Sequence, residues 1–144
     1  MLRGNSPARV DDKGRLKIPA QFKEVLGENY ENKFFVTSLD GQYVRIYPLE
    51  EWIKVEEKVK GSTFNKTRRK FMFKANYYGG TAEMDAQGRI LIPQVLREAA
   101  GMKGDVFVLG STSYLEVWNN ERVQAELAQE FTPEEEQEIG GWEV

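Results

Sequence analysis

The sequence contains no cysteine and no histidine among its 144 residues. These two residue types supply most of the nucleophiles, neutral-pH proton shuttles and zinc or iron ligands in proteins. Their absence excludes Ser-His-Asp hydrolysis, cysteine proteolysis, zinc fingers and haem ligation, and we expect no metal and no cofactor. Without cysteine no disulfide can form, which favours a reducing compartment, the cytoplasm.

Long apolar runs are also missing. The uninterrupted apolar stretches are only a few residues long, far below the roughly 20 residues that cross a bilayer. The first residues contain no apolar core of the kind that a signal peptide needs. The sequence therefore predicts no membrane partner and a single domain that buries roughly two-thirds of its unfolded surface.

Positive charge is slightly outnumbered by negative charge overall, but it is concentrated in one part of the chain. The formal net charge is -3, yet residues 1–80 carry a net +6 and residues 81–144 a net -9. Residues 121–144 alone contain eight Glu and one Arg. Such asymmetry indicates a basic interaction face and an acidic tail, although charge runs can also be plain solvated surface.

An internal repeat with an offset of 74 residues organises the chain. It aligns residues 8–19 with residues 82–93, and both copies carry Asp-x-x-Gly-Arg-x-x-x-Pro. With three residues removed from the first copy, residues 43–47 align with residues 114–118. Two such units are expected to close a shared core, because neither can bury its apolar face alone.

The Asp-x-x-Gly segment of each copy predicts a tight hairpin turn. Asp11 and Asp85 can accept hydrogen bonds from the turn amides, and Gly14 and Gly88 can adopt the positive φ that other residues avoid.

A second hairpin follows in each copy, and between the hairpins Pro19 and Pro93 are placed to begin short helices. Gly27 and Gly101 are placed to end them. The other predicted helices are residues 49–60, 66–74 and 120–131, and the remaining tail is expected to be irregular. The basic helix at 66–74 is either a further phosphate contact or a solvated helix with Phe71 and Phe73 packed inward, and we favour the second. Eight strands in two pseudo-symmetric halves predict a closed β-barrel with peripheral helices, of the α+β class.

The first hairpin is the candidate binding element. Strand alternation places Leu16 and Ile18 on its inner face, and Arg15 and Lys17 on its outer face. The outward basic residues are Lys13, Arg15 and Lys17, with Arg3 and Arg9 nearby in the chain. Arg and Lys contact phosphate, Arg can pair with the O6 and N7 edge of guanine, and a β-ribbon fits the major groove. This pattern favours double-stranded DNA as the partner.

The second hairpin keeps Arg89 but has lost three of the four basic positions. The replacements are Glu83, Gln87 and Leu91, where the first copy has Arg9, Lys13 and Lys17. We therefore expect the first hairpin to dominate DNA contact, and Leu91 to pack on a neighbouring subunit or on the basic helix. The structural alternative is an ion pair between Arg15 and Asp11, and likewise between Arg89 and Asp85.

The motifs together resemble those of the MraZ family of bacterial transcriptional regulators. They are the doubled Asp-x-x-Gly-Arg-x-x-x-Pro, the opening Arg3-Gly4, Tyr47-Pro48-x-x-x-Trp52, Leu96-Arg97-Glu98-x-Ala100-Gly101 and Glu116-Val117-Trp118. The resemblance implies tandem AbrB-like swapped-hairpin repeats, a DNA-contacting arginine at Arg15, and no enzymatic activity. It also implies ring homo-oligomers, located in the cytoplasm at the nucleoid. These would bind direct repeats upstream of the cell-division and cell-wall gene cluster, including the protein's own promoter.

This resemblance suggests a division of the chain into four parts. They are a first repeat with its following helix at 1–60, a basic helical linker at 61–80, a second repeat with its helix at 81–131, and an acidic tail at 132–144. Two alternative functions remain open. One is an antitoxin-like AbrB-type module, and the other a hydrolase that uses Asp11 and Asp85 as paired carboxylates.

Overall fold

A computed structural model describes residues 1–144 of the chain. It contains eight strands and six helices. The strands are β1 Asn5–Val10, β2 Arg15–Lys17, β3 Phe34–Thr37, β4 Val44–Pro48, β5 Gly80–Ala82, β6 Arg89–Leu91, β7 Gly104–Gly110 and β8 Leu115–Asn119. The helices are α1 Ala20–Asn29, α2 Leu49–Lys60, α3 Lys66–Tyr78, α4 Gln94–Ala100, α5 Asn120–Leu127 and α6 Pro133–Gly141. None of the six is both long and apolar enough to span a bilayer.

The strands form one antiparallel sheet in the order β5-β3-β4-β8-β7-β1-β2-β6. The two outer strands, β5 and β6, are consecutive in the chain and joined by the second Asp-x-x-Gly turn. There the N–H of Asp85 donates to the carbonyl of Arg89 at 2.9 Å. The sheet is thereby curled into a nearly closed barrel, which confirms the predicted fold class.

The two repeats exchange hairpins to build this barrel. β1 pairs along six residues with β7 of the second repeat, but only through Val10 and Leu16 with its own partner β2. Likewise, β5 pairs with β3 of the first repeat. The β2–β6 pairing centres on Leu16 and Ile90, and the β4–β8 pairing on Arg45 and Glu116. These are equivalent residues of the two copies, so a pseudo-twofold axis passes through both pairs and the swapped-hairpin prediction is confirmed.

The hydrophobic core lies between the two repeats. It is one cluster of 19 buried side chains, with Leu16 and Ile90 fully buried where β2 meets β6. A smaller cluster lies outside the barrel wall under α2 and α3 and comprises Phe35, Tyr47, Trp52 and Ala75. The hydroxyl of Thr37 donates to the carbonyl of Ala75 at 2.6 Å and fixes α3 against β3.

The helix ends test the turn and cap predictions. α2 has both predicted bounds, and Gly101 ends α4 in the left-handed conformation with φ 65°. α1, however, continues two residues past Gly27, so the predicted end at Gly27 is wrong. Nothing crowds Gly27, and the helix ends instead where Tyr30 takes up extended backbone and packs its ring against the core.

The prediction for the basic helix was half correct. Phe71 packs inward against the smaller cluster, whereas Phe73 is 60% exposed. Residues two positions apart on a helix point about 200° away from each other around the axis, since there are 3.6 residues per turn. Phe71 and Phe73 therefore cannot face inward together.

The acidic tail is not irregular, contrary to the prediction. Residues Pro133–Gly141 form α6, which begins with a capping box. The Thr132 hydroxyl accepts from the Glu135 N–H at 3.1 Å, and the Glu135 carboxylate accepts from the Thr132 N–H at 2.9 Å. The cap satisfies N–H groups that a helix start leaves unpaired. The helix buries none of its residues, so local capping rather than tertiary packing defines it.

Candidate nucleic-acid interface

The outer face of the β2–β6 pair carries three cations and one apolar side chain. Arg15 lies opposite Leu91, and Lys17 lies opposite Arg89. The intervening residues Leu16 and Ile90 have no exposed surface. The predicted alternation is therefore confirmed, and both Arg residues of the repeated motif are on one surface. Leu91 is 52% exposed, so it is not covered by the basic helix of its own chain.

The first turn holds Arg15 in a defined position. The Oδ1 atom of Asp11 accepts from the N–H groups of Lys13 and Arg15 at 3.0 and 2.9 Å, and Oδ2 accepts from Nε of Arg15 at 2.9 Å. Gly14 has the expected positive φ of 81°. The backbone hydrogen bond from Arg15, assisted by its side chain, holds the pKa of Asp11 below its usual value. With Nε bound to a charged carboxylate, the Nη atoms of Arg15 remain free to donate to a ligand.

The second turn repeats this geometry. The Oδ1 atom of Asp85 accepts from the N–H groups of Gln87 and Arg89, each at 2.9 Å, and Oδ2 accepts from Nε of Arg89 at 2.8 Å. The backbone hydrogen bond from Arg89 lowers the pKa of Asp85 in the same way. Arg89 Nη1 also lies 3.9 Å from Oδ2 of Asp11. Both ion pairs of the structural alternative are present, and Asp11 contacts the arginines of both hairpins.

The environment of the two aspartates argues against carboxylate catalysis. A catalytic dyad requires that one carboxyl group be protonated at working pH, and therefore that its pKa be raised. The pKa values of Asp11 and Asp85 are instead both lowered by hydrogen bonds from turn amides. Each carboxylate is also paired with its own arginine. The geometry assigns the aspartates to turn formation rather than to proton transfer.

Lys23 adds a cation that the sequence prediction did not include. It lies on α1 and lines an open depression beside the β2–β6 pair, together with Arg9, Asp11, Arg15, Lys17 and Arg89. It also lies over the second turn, since a Cβ atom built on Gly88 would be 3.3 Å from its Nζ. The repeat contained a signal for this residue, because the offset of 74 aligns Lys23 with Arg97.

Arg97 is the second functional candidate that the sequence prediction missed. Its guanidinium lies against the first turn, where a Cβ atom on Gly14 would overlap Nη1, Cζ and Cδ of Arg97. Its Nε is buried without a hydrogen-bond partner. Each turn glycine is thus covered by a cation from the other repeat: Arg97 of α4 covers Gly14, and Lys23 of α1 covers Gly88.

The other predicted binding residues are less closely grouped. Lys13 and Lys17 are exposed at the first hairpin. Arg9 pairs with Asp105 at 2.9 Å, but both side chains are about 70% exposed, and such pairs contribute little energy. Arg3 lies beyond the opposite end of β1, with its backbone against Gly110. The structure therefore does not bring Arg3 to the turn.

The close contact at Gly14 leads to a prediction on stability. We expect Gly14→Ala to lower the free energy of unfolding by about 1 to 3 kcal/mol, because alanine is strained at positive φ and its methyl group displaces Arg97. Gly27→Ala is the matched control, since Gly27 lies within α1 with open space around it. That change should stabilise the protein by roughly 0.5 to 1 kcal/mol. Urea unfolding of both variants measures the difference, and equal effects would contradict the prediction.

Comparison with known proteins places these features in a family. A family model described as "MraZ protein, putative antitoxin-like" matches residues 1–74 and 79–139. The chain belongs to the MraZ family. The transcriptional regulator MraZ of Acidobacterium capsulatum is 51% identical over 141 residues, which cover 96% of this chain and 97% of that protein. The transcriptional regulator MraZ of Koribacter versatilis is 47% identical over 142 residues, with the same coverage.

The MraZ match covers every part of the described surface. Both Asp-x-x-Gly-Arg turns fall inside it, as do α1 with Lys23 and α4 with Arg97. The resemblance inferred from the motifs is confirmed. The names of the MraZ relatives identify the chain as a transcriptional regulator.

Proposed function

We propose that this MraZ protein binds DNA sequence-specifically through its first hairpin, which enters the major groove. The observation that supports this most strongly is the geometry of Arg15. Its Nε is held by Asp11 while its Nη atoms have no hydrogen-bond partner, on a β-ribbon whose outer face lines an open depression. A ribbon of this width fits the major groove, and an arginine paired with guanine contributes roughly 1 to 3 kcal/mol of discrimination.

Phosphate contacts would come from the cations around Arg15. Lys13 and Lys17 flank it on the hairpin, and Lys23 and Arg89 line the same depression. Contacts of this kind position a protein on the duplex, while the base contact gives the specificity. The second hairpin lacks three of the four corresponding cations, so we assign it a supporting role through Arg89.

The target sites follow from the family resemblance. We propose that the protein regulates the cell-division and cell-wall gene cluster by binding short direct repeats upstream of it, including its own promoter. Copies assembled in a ring would place several Arg15 hairpins on successive repeats, and the resulting effective concentration would strengthen contacts that are individually weak. Such a protein acts on the chromosome, which places it in the cytoplasm at the nucleoid.

A second candidate is an antitoxin-like module that binds DNA together with a toxin. Modules of this type commonly carry one repeat and complete the barrel by dimerisation. Here both repeats are present in one chain, and hairpin exchange within that chain closes the barrel. The structure therefore favours a self-contained regulator over a module that needs a partner to complete its fold.

Salt dependence of binding tests the proposal. A duplex with one repeat from the DNA upstream of the protein's own gene should bind more tightly than a shuffled duplex. With about four phosphate contacts, log K should fall with log salt with a slope of roughly -3.6. Lys17→Ala should reduce that slope by about 1, whereas Lys33→Ala, an exposed lysine outside the interface, should leave it unchanged. A flat salt response would contradict phosphate contact.

A further inference from the structure

One face of α3 is exposed, basic and aromatic. The residues of this face, called here the α3 face, are Lys66, Arg69, Lys70, Phe73, Lys74 and Tyr77. Their spacing of three or four residues places them on one side of the helix. Phe73 and Tyr77 are each 60% exposed. Between residues 61 and 82 the chain has five cations and no acidic residue.

The fold turns this face outward. The opposite side of α3 is occupied, because Ala75 is fully buried and Phe71 packs on the cluster around Trp52. No cation of the α3 face forms an ion pair within the chain, whose five ion pairs all involve other residues. Arg69 lies over the ring of Phe73 at 5.7 Å from its centroid. The α3 face is therefore an exposed surface whose cations have no acidic partner within the chain.

The end of the chain has the complementary character. Residues 126–144, called here the C-terminal arm, contain seven Glu and no Lys or Arg. None of these glutamates forms an ion pair within the chain. The large exposed apolar side chains of the arm are Leu127, Phe131, Trp142 and Val144. Like the α3 face, the arm combines one sign of charge with exposed apolar groups.

We propose that the C-terminal arm of one copy binds the α3 face of a second copy. Together with Phe64 just before α3, the two surfaces hold seven of the eleven large apolar side chains that the chain exposes. Exposed apolar groups concentrated in this way mark interaction sites. Opposite charges then select which surfaces pair and suppress pairing of like surfaces. This proposal rests on the self-assembly proposed above and names the contact that produces it.

The position of the two surfaces suits a closed assembly. A contact between two different surfaces can repeat in one direction from copy to copy, and such a heterologous contact gives a ring when it closes. The arm is long enough to bridge two copies. Its five-residue connection at 128–132 can extend about 16 Å, and the nine residues of α6 add about 13 Å.

Phosphate binding alone does not explain the α3 face. Contact with a DNA backbone requires the cations, but it leaves Phe73 and Tyr77 without a function and the apolar groups of the arm uncovered. An arm that brings both glutamates and aromatic rings accounts for all of these groups. The observations therefore favour the arm over nucleic acid as the occupant.

A charge-swap experiment on the full-length protein tests the contact. One variant carries Lys70→Glu and Lys74→Glu, and the other carries Glu134→Lys and Glu138→Lys, which leaves the capping residue Glu135 intact. Each variant alone should lose most of the assembly seen by light scattering after size-exclusion chromatography. An equimolar mixture should recover the wild-type mass, because in an alternating ring one contact has wild-type residues on both sides and the next pairs the introduced Glu residues with the introduced Lys residues. The control, Lys33→Glu with Lys103→Glu, makes the same change in net charge as the α3 variant and should assemble normally.

The outcomes separate this inference from the DNA-binding proposal. If wild type assembles and both swapped variants keep its mass, the arm contact is wrong, whether the arm folds onto its own α3 or binds another protein. The same conclusion follows if Lys70→Glu with Lys74→Glu reduces only DNA affinity. If each variant fails to assemble and the mixture does not recover the wild-type mass, the proposed pairing of opposite charges between the arm and the α3 face is wrong. If wild type is monomeric at all concentrations, the ring also fails, while single-repeat DNA binding by Arg15 is tested independently.

Discussion

Arg15→Ala is expected to weaken binding to a single DNA repeat by about 10- to 100-fold, the equivalent of roughly 1 to 3 kcal/mol for a lost guanine contact. The loss should be larger on several repeats, because each copy in an assembly loses its contact. Folding should change little. The ion pair between Arg15 and Asp11 is about one-third exposed, and pairs at the surface contribute little to stability.

Mobility-shift titration with one-repeat and multi-repeat duplexes measures this effect. Arg89→Ala is the matched control, because Arg89 has the same turn geometry in the hairpin that lacks the flanking cations. Its effect should be clearly smaller than that of Arg15→Ala. Near-wild-type affinity of an Arg15→Ala protein that keeps its wild-type mass would refute the proposed contact.

Leu16→Ala is expected to lower the free energy of unfolding by about 2 to 5 kcal/mol, through lost apolar burial and the cavity left behind. Leu16 has no exposed surface and lies opposite Ile90 on the pseudo-twofold axis, where both repeats meet. Neighbouring side chains there come from both halves of the chain. Truncation should therefore destabilise the whole barrel in one transition rather than one repeat alone.

Chemical denaturation with a fit to a single transition measures this change. Leu91→Ala is the control on the same strand pair, since Leu91 is half exposed, and exposed positions usually change stability by less than about 0.5 kcal/mol. Similar losses at both positions would show that β2 and β6 do not meet in the core. Arg15 and Leu16 are neighbours in the chain, so the two predictions should separate binding from stability.

Local features of the fold were predictable from the sequence because short-range interactions decide them. The Asp11 and Asp85 turns, the alternation of β2 and the bounds of α2 each depend on residues within a few positions of one another. The capping box at Thr132 is equally local, so the helix in the acidic tail was also predictable from the sequence. The end of α1 was not predictable in this way, because the packing of Tyr30 against the core overrides Gly27.

At each turn, the part of the site that is harder to predict from the sequence is contributed by the opposite repeat. Arg97 and Lys23 are distant in sequence from the turns they cover, and each reaches its glycine only because the hairpins are exchanged. The carbonyl of Gly14 likewise accepts from the N–H of Ile92, and that of Gly88 from Ile18. Aligning the two copies in sequence identifies equivalent residues, but it does not predict that each copy covers the turn of the other.

The sequence by itself determined the absence of cysteine and histidine chemistry, the two copies of one hairpin unit, the uneven charge and the MraZ resemblance. These depend on residue identity and local geometry. Only the tertiary structure decided that Asp11 contacts the arginines of both hairpins, that Lys23 and Arg97 complete the two turns, and that the α3 face points away from the core. The physical reason is that hairpin exchange juxtaposes residues about 74 positions apart, and no short-range preference of the chain encodes which surfaces then meet.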